Sequence, residues 1–390
     1  MIKPTDLQSY FDYMVAWRRD LHMHPEPGFE EFRTAKKLEE ELRHLGYDLV
    51  TGVGVTGIVA TLNGNAPGKT ILLRADIDAL KMQEELDIPF KSTIDGMMHA
   101  CGHDTHTAML LGAAKYFSEH RNFKGTLKLV FQSAEEGPMP GGGSFVVKEG
   151  HLDDVDAVFG IHITTRDPYG TIVLKPGPAM AAPDEFRITV HGIGTHASAP
   201  QSGKDPIVAS SAIVQAIQTI LSRQISPLEQ AVITISTIHG GSAFNVLPDH
   251  VKMTGTIRTL NNDVRLDIFK RLTQVSEDVA TAYGCTAEVE IIEAYPPLIN
   301  DLEMSAFAYD IAKRLVGEDN AILATEPSMG GEDFAYYLQQ KPGAFLWLGA
   351  RPLDEDTVYY NHNPKFYVEE QAFLIGMAFH VNTVLEFLDK

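Results

Sequence analysis

HACGHDTHTA, residues 99–108, places three histidines, one cysteine and one aspartate in ten positions of a chain holding 15 His and 2 Cys in all. Side chains two apart in a loop or extended segment face one point, so Cys101 and His103 offer a thiolate and an imidazole to one metal centre. Carboxylates end other segments. Asp76 and Asp78 close KTILLRADID, Glu135 and Glu136 close GTLKLVFQSAEE, and His162 closes DAVFGIHI. Adjacent Glu135 and Glu136 point in different directions, so one ligates while the other faces a substrate. Thiolate, imidazole and carboxylate together suit zinc, cobalt or manganese better than magnesium or calcium. The chemistry such a set supplies is metal-assisted hydrolysis, with the spare carboxylate taking a proton from water.

Those residues converge only if the elements beneath them are arranged for it. The apolar runs 69–78, 125–136 and 156–163, with a helical pattern at 105–117, predict an α/β fold with a mostly parallel sheet covered by helices. In such sheets ligands sit at the carboxyl ends of strands, which would bring the three run ends to one cleft. From residue 183 the pattern changes. Strand 185–192, helix 206–222, strands 231–238 and 250–259, helix 262–281 and strand 286–294 give the β-α-β-β-α-β order of a ferredoxin-like, split βαβ unit. We therefore expect a catalytic metal-binding domain from 1–182 and 296–390, with an inserted α+β domain at 183–295. The first domain resumes with helix 302–315, strand 343–350 and a C-terminal helix from about 369.

Blander readings compete with some of these residues. Asp104 is a candidate N-cap, which would explain part of the histidine cluster structurally. His106 falls in the first helical turn and is better placed to orient a ligand than to be one. His22 and His24 lie beside Pro25 and Pro27 and read as structural; His99 is ambiguous. GVGVTG, 52–57, matches a dinucleotide-binding pattern but precedes the strand-like IVATL, so it reads as a hairpin turn. GGGS, 141–144, lacks the Lys-Ser/Thr of a phosphate loop, and no nucleophile elbow is present. Cys101 as a nucleophile would have His103 too close in sequence to serve as its base.

Composition sets outer limits. At 390 residues, 44% hydrophobic and 22% charged, the chain is long enough for two domains. Its formal charge of -20 disfavours nucleic acid and anionic membrane surfaces as partners. The N-terminus lacks an apolar signal-like run, and no later stretch reads as the roughly 20 apolar residues of a membrane span. Two cysteines are too few for a disulfide framework. The expectation is a cytoplasmic protein.

RRDLHMHPEPGFEE, RADIDAL, HACGHDTHTAMLLGAA, QSAEEG, GIHI, GTHASAP, GGSAFNVLPD, GTIRTL, GGEDF and NHNPKF occur in this order. In this the chain resembles the amidohydrolase branch of the M20 metallopeptidases, which includes aminoacylases, hippurate hydrolases, N-acetyldiaminopimelate deacetylases and auxin-conjugate hydrolases. The resemblance implies a zinc-exopeptidase-like catalytic domain with an inserted lid and dimerisation domain, and a homodimer. It implies two divalent metal ions per subunit (Zn, Mn or Co), bound by Cys101, His103, Glu136, His162 and His362. Glu135 would be the general base that activates the bridging water and then protonates the leaving amine. His196 would stabilise the oxyanion, often across a dimer interface. Asn245 and Arg258 would contact the substrate carboxylate. Asp76 and Asp78 stand where related peptidases have a His-x-Asp pair and would support the ligands, as would His106.

The implied activity is hydrolysis of an N-acyl (N-acetyl or N-benzoyl type) amino acid. A dipeptidase, or an N-acetyldiaminopimelate deacetylase of lysine biosynthesis, is the alternative within enzymes. A non-catalytic metal-binding protein and a nicotinamide oxidoreductase are the rivals of other classes. Lys81, the PMPGGG stretch at 138–143 and Thr195 depart from the family pattern, and they bear on the substrate pocket more than on the proposed catalytic groups.

Overall fold

A computed structural model of the chain describes residues 1–353 and 357–390. It divides into two compact units, Met1–Gly177 with Ile299–Glu326 and Asp333–Lys390, and Pro178–Leu298 with Pro327–Glu332. The second unit thus takes in the short segment 327–332, which lies outside the 183–295 span expected for it.

The first unit is built on an eight-stranded sheet. Its order is Asp48–Val53, Gly57–Asn63, Lys124–Gln132, Ala66–Asp76, Ala157–Pro168, Gly343–Arg351, Ile172–Leu174, Ala321–Leu323. The middle four strands run parallel, and antiparallel pairings flank them on both sides. Burial on both faces is why their sequences read as apolar runs: Ile71, Leu72, Leu73, Val130 and Phe131 are all fully buried. GVGVTG does form the turn of an antiparallel pair, between Asp48–Val53 and Gly57–Asn63.

Helix His103–Glu119 packs on this sheet with nearly every side chain buried, and so does helix Ala372–Asp389. The latter is the most apolar long helix among the described residues. By length and composition it is apolar enough to cross a membrane, yet most of it is buried inside this unit, as in a core helix. It starts three residues later than expected, and short elements such as Ile172–Leu174 and Gly142–Lys148 carried too few residues to show a period.

The second unit is a four-stranded antiparallel sheet in the order Ala231–Gly240, His250–Thr259, Ala182–His191, Thr286–Ile292. Helices Pro206–Thr219 and Asn262–Ala282 cover one face. Numbered along the chain, the strand order is 4-1-3-2, as the β-α-β-β-α-β pattern requires of a ferredoxin-like unit. Alternation does the sorting. In His250–Thr259, Val251, Met253 and Ile257 face the helices, while Lys252, Thr254 and Arg258 lie on the other face. Asp205 and Asn261 cap the two helices through their side chains. The α/β class and the inserted α+β unit expected from the sequence are what the chain forms.

Candidate metal centre

The centre grows from the start of helix His103–Glu119. Its N-cap is Gly102 and not Asp104: φ there is 94°, and a Cβ at this position would lie 2.4 Å from Ile163 Cγ2, so both conformation and space demand glycine. That turn sets Cys101 just before the helix and His103 at its first residue. Asp76 ends its strand and Asp78 follows it. Glu135 and Glu136 lie in the turn after strand Lys124–Gln132, behind Ala134, whose φ is 50°. His162 is inside strand Ala157–Pro168, which continues five residues past the run end read from the sequence. His362 comes from a loop, with φ 67° and its N–H donating to the Ala100 carbonyl at 2.8 Å. Left-handed backbone at a non-glycine residue is a strained arrangement that packing must hold.

Two donor groups share one sulfur. Cys101, His103 and His162 have ligand atoms within 4.8 Å of one another, and so do Cys101, Glu136 and His362. Cys101 Sγ lies 3.3 Å from His162 Nε2 and 3.2 Å from His362 Nε2, and His362 Nε2 is 2.8 Å from Glu136 Oε1. Glu135 Oε2 is 3.8 Å from His103 Nε2, at the side of the cluster.

Supporting contacts fix which nitrogen of each imidazole faces inward. His103 Nδ1 donates to Asp78 Oδ1 at 3.0 Å, and its buried Nε2 has no hydrogen-bond partner. The other oxygen of Asp78 accepts from the Glu136 N–H at 2.9 Å, so one carboxylate aligns two candidate ligands. His162 Nδ1 donates to the Ile163 carbonyl at 2.7 Å, which leaves its Nε2 lone pair toward Cys101. His106 has no nitrogen to spare: Nε2 accepts from the Ile163 N–H at 2.8 Å and Nδ1 donates to Asp76 Oδ1 at 2.6 Å. Asp76 is itself held by Arg74 at 2.7 Å.

The electrostatics of the donor set call for positive charge. Burial pushes the Cys101 thiol well up, and Glu136, Glu135 and Asp76 push it further. Burial would lower His103, but Asp76 and Asp78 carry it up to about 10. Burial and the neighbouring His106 hold His162 well below its usual value, so it stays a neutral ligand. Divalent cations at this point would reverse the field at Cys101 and favour its thiolate. An inward-facing orphan nitrogen, a neutral imidazole, a carboxylate and a thiol that cations would ionise all fit a pair of metal ions.

Sequence reasoning passed over much of the support. Arg74 reaches Asp76, Gln132 at 3.0 Å and Asp333 at 2.8 Å, and Asp333 also accepts from the Gly143 N–H. Asp104 forms an ion pair with Arg18 and accepts from His22, and His22 also meets Glu84. Both ring nitrogens of buried His99 lack a hydrogen-bond partner, and burial lowers it to about 3. The signal for Arg74 and Asp333 was present in RADIDAL and GGEDF, as buried charges within motifs.

His196, Asn245 and Arg258 belong to the second unit. Thr195–His196 pairs with Val246–Leu247, which sets His196 beside Asn245, and both are exposed. His196 Nδ1 accepts from the Ser198 N–H at 3.1 Å, which leaves the ring proton on Nε2 as a donor. His196 lines an open cleft of about 850 Å³ with His239, His250 and Lys252. Arg258 is not brought there. It lies six residues beyond Lys252 along the same strand, about 20 Å at roughly 3.3 Å per residue. Its Nη1 is buried without a partner.

Comparison with known proteins agrees with this geometry. Residues 72–386 match the model of peptidase family M20/M25/M40. The chain is 40% identical over 389 residues to thermostable carboxypeptidase 2 of Saccharolobus solfataricus, covering 99% of this chain and 98% of that protein. It is 38% identical to the N-acetyl-L-cysteine deacetylase of Bacillus subtilis, with 99% and 91% covered. A dinuclear metal binding peptidase of the M20 family from Bacillus subtilis superposes with a TM-score of 0.84 at 34% identity, with 98% and 99% covered. The chain is a hydrolase of the M20 amidohydrolase group and belongs to peptidase family M20/M25/M40.

Proposed function

We propose that this enzyme hydrolyses N-acyl amino acids to a carboxylate and a free amino acid at a dinuclear centre. The observation that carries the reading is the thiol of Cys101 shared by two donor groups, one with His103 and His162, the other with Glu136 and His362. When bound, two divalent ions (Zn, Mn or Co) would polarise the amide carbonyl and acidify water. Glu135, beside the cluster and outside its shared-sulfur groups, takes the proton of the attacking water and passes it to the departing amine. Asp78 keeps His103 and Glu136 aligned, Asp76 does the same for His106, and Arg258 offers an unpartnered guanidinium nitrogen to the substrate carboxylate. His196, with its proton on Nε2, donates to the developing oxyanion.

A homodimer is part of this reading, supported by the separation of Arg258 and His196 within the second unit. An N-acyl amino acid spans about 10 Å when extended, shorter than the roughly 20 Å of strand between Arg258 and Lys252, where the cleft lined by His196 opens. His196, with Asn245 beside it, therefore serves the site of the partner copy. A centre built on a thiolate suits a reducing compartment, the cytoplasm.

Peptide cleavage is the second reading, favoured by the likeness to a carboxypeptidase. Amine release from N-acetyl, N-benzoyl and N-succinyl amino acids and from dipeptides, with added manganese, cobalt or zinc and again after chelation, separates the two. Metal-dependent release from one acyl class is the expected result. Cleavage of dipeptides alone would move the assignment to peptidase.

A further inference from the structure

We propose that Glu31, at the end of PEPGFEE, is the positioning residue that sets Glu135 and Glu136 by clamping the strained turn before them. The inference rests on the function proposed above for those two carboxylates. Glu31 is completely buried. It stands at the N-terminus of helix Phe32–His44 but does not cap it; Glu26 does so, accepting from Arg33 N–H at 2.9 Å and Thr34 N–H at 2.8 Å. Relieved of that duty, Glu31 spends both oxygens elsewhere. Oε1 accepts from the Ala134 N–H at 2.8 Å, and Oε2 accepts from Thr56 Oγ1 at 2.5 Å.

Ala134 carries φ 50° and immediately precedes Glu135, so a fixed N–H there fixes where both following side chains leave the backbone. The rest of the motif presses on the same turn. A Cβ on Gly28 would lie 2.0 Å from the Gly137 carbonyl oxygen and 2.9 Å from Ala134 Cβ, which is the reason for glycine in PEPGFEE. Pro27 pairs with Ala79, next to Asp78, and the Ala79 N–H donates to the Glu26 carbonyl at 2.8 Å. From the other side, Ser133 Oγ donates to the Gly54 carbonyl at 2.9 Å, so the GVGVTG turn supplies both Thr56 and Gly54 to the clamp. Two motifs with no catalytic side chain thus share one task.

The test uses full-length protein labelled with 15N-alanine, read by hydrogen exchange at the Ala134 amide alongside kinetics and metal content. Glu31→Ala should unprotect Ala134 and lower kcat roughly 10- to 100-fold, with KM nearly unchanged and the metals retained. Glu31→Gln, which still accepts from Ala134 and can turn its amide toward Thr56, should restore both kcat and protection. If Glu31→Ala does not fold, Thr56→Val takes its place and should give a smaller change of the same kind. Unchanged Ala134 exchange or unchanged kcat in the alanine variant, or in Thr56→Val where that stands in for it, would overturn the proposal; so would a glutamine variant as impaired as the alanine one. If the wild-type protein hydrolyses nothing in the substrate panel, the functional reading fails, while Ala134 exchange still decides whether Glu31 holds the turn.

Discussion

The two units present their histidines differently. In the first, His103, His106 and His162 are each oriented by a carboxylate or a backbone group, and the nitrogen left over faces the cluster or is itself tied down. In the second, His196 is exposed, held at one nitrogen by its own neighbour Ser198, and set at the wall of an open cleft. The first arrangement is complete within one unit. The second has a donor ready and nothing in its own unit for it to act on. The candidate ligands of the first unit are thus oriented by contacts inside that unit, whereas nothing but its neighbour Ser198 orients His196.

Removing the base should strain this contrast most. Glu135→Gln is expected to cut kcat by roughly 10²- to 10⁴-fold with metal content unchanged, because it removes a proton acceptor and no ligand. His196→Ala should cost about 10²- to 10³-fold, the scale for one oxyanion donor. The informative experiment mixes the two inactive variants. If His196 acts in the partner's site, hybrid dimers regain one working site, and an equal mixture should recover roughly a quarter of wild-type activity. A mixture as inactive as its parts would return His196 to its own subunit.

Legibility in the sequence followed the same divide. Strands and helices with full periods were readable, and the β-α-β-β-α-β order was enough to predict a 4-1-3-2 sheet. Cys101, His103 and the two glutamates were visible because their spacing is local. His362 had no such signal, since a loop histidine at φ 67°, 261 positions from Cys101, reaches the cluster only through the fold; the family resemblance alone pointed to it. Glu31 was illegible for a different reason. In FEEFRTAKKLEEE an acid at a helix start reads as a solvated cap, and only burial by the loop 133–137 shows otherwise.

The supporting shell offers a milder break. Asp78→Ala frees both His103 and the Glu136 backbone, so metal affinity should fall roughly 10- to 100-fold while the fold persists. Titration calorimetry with zinc or manganese measures it directly. Undiminished affinity would mean that packing alone orients His103.

The smallest effect concerns stability and comes from Glu31 again. Burial raises its carboxyl from the ordinary 4.5 to about 7, with Asp78 adding to the rise and Thr56 opposing it. An acid whose folded pKa is raised holds its proton longer in the folded state, so folding stability falls as pH climbs through the window between those two values. Across that window the loss amounts to about 3 kcal/mol. Glu31→Gln has no proton to lose, so its melting temperature relative to wild type should rise between pH 5 and pH 8. A difference that stays flat over this range would mean that the Ala134 and Thr56 hydrogen bonds already compensate the buried charge, and that the clamp carries no pH penalty.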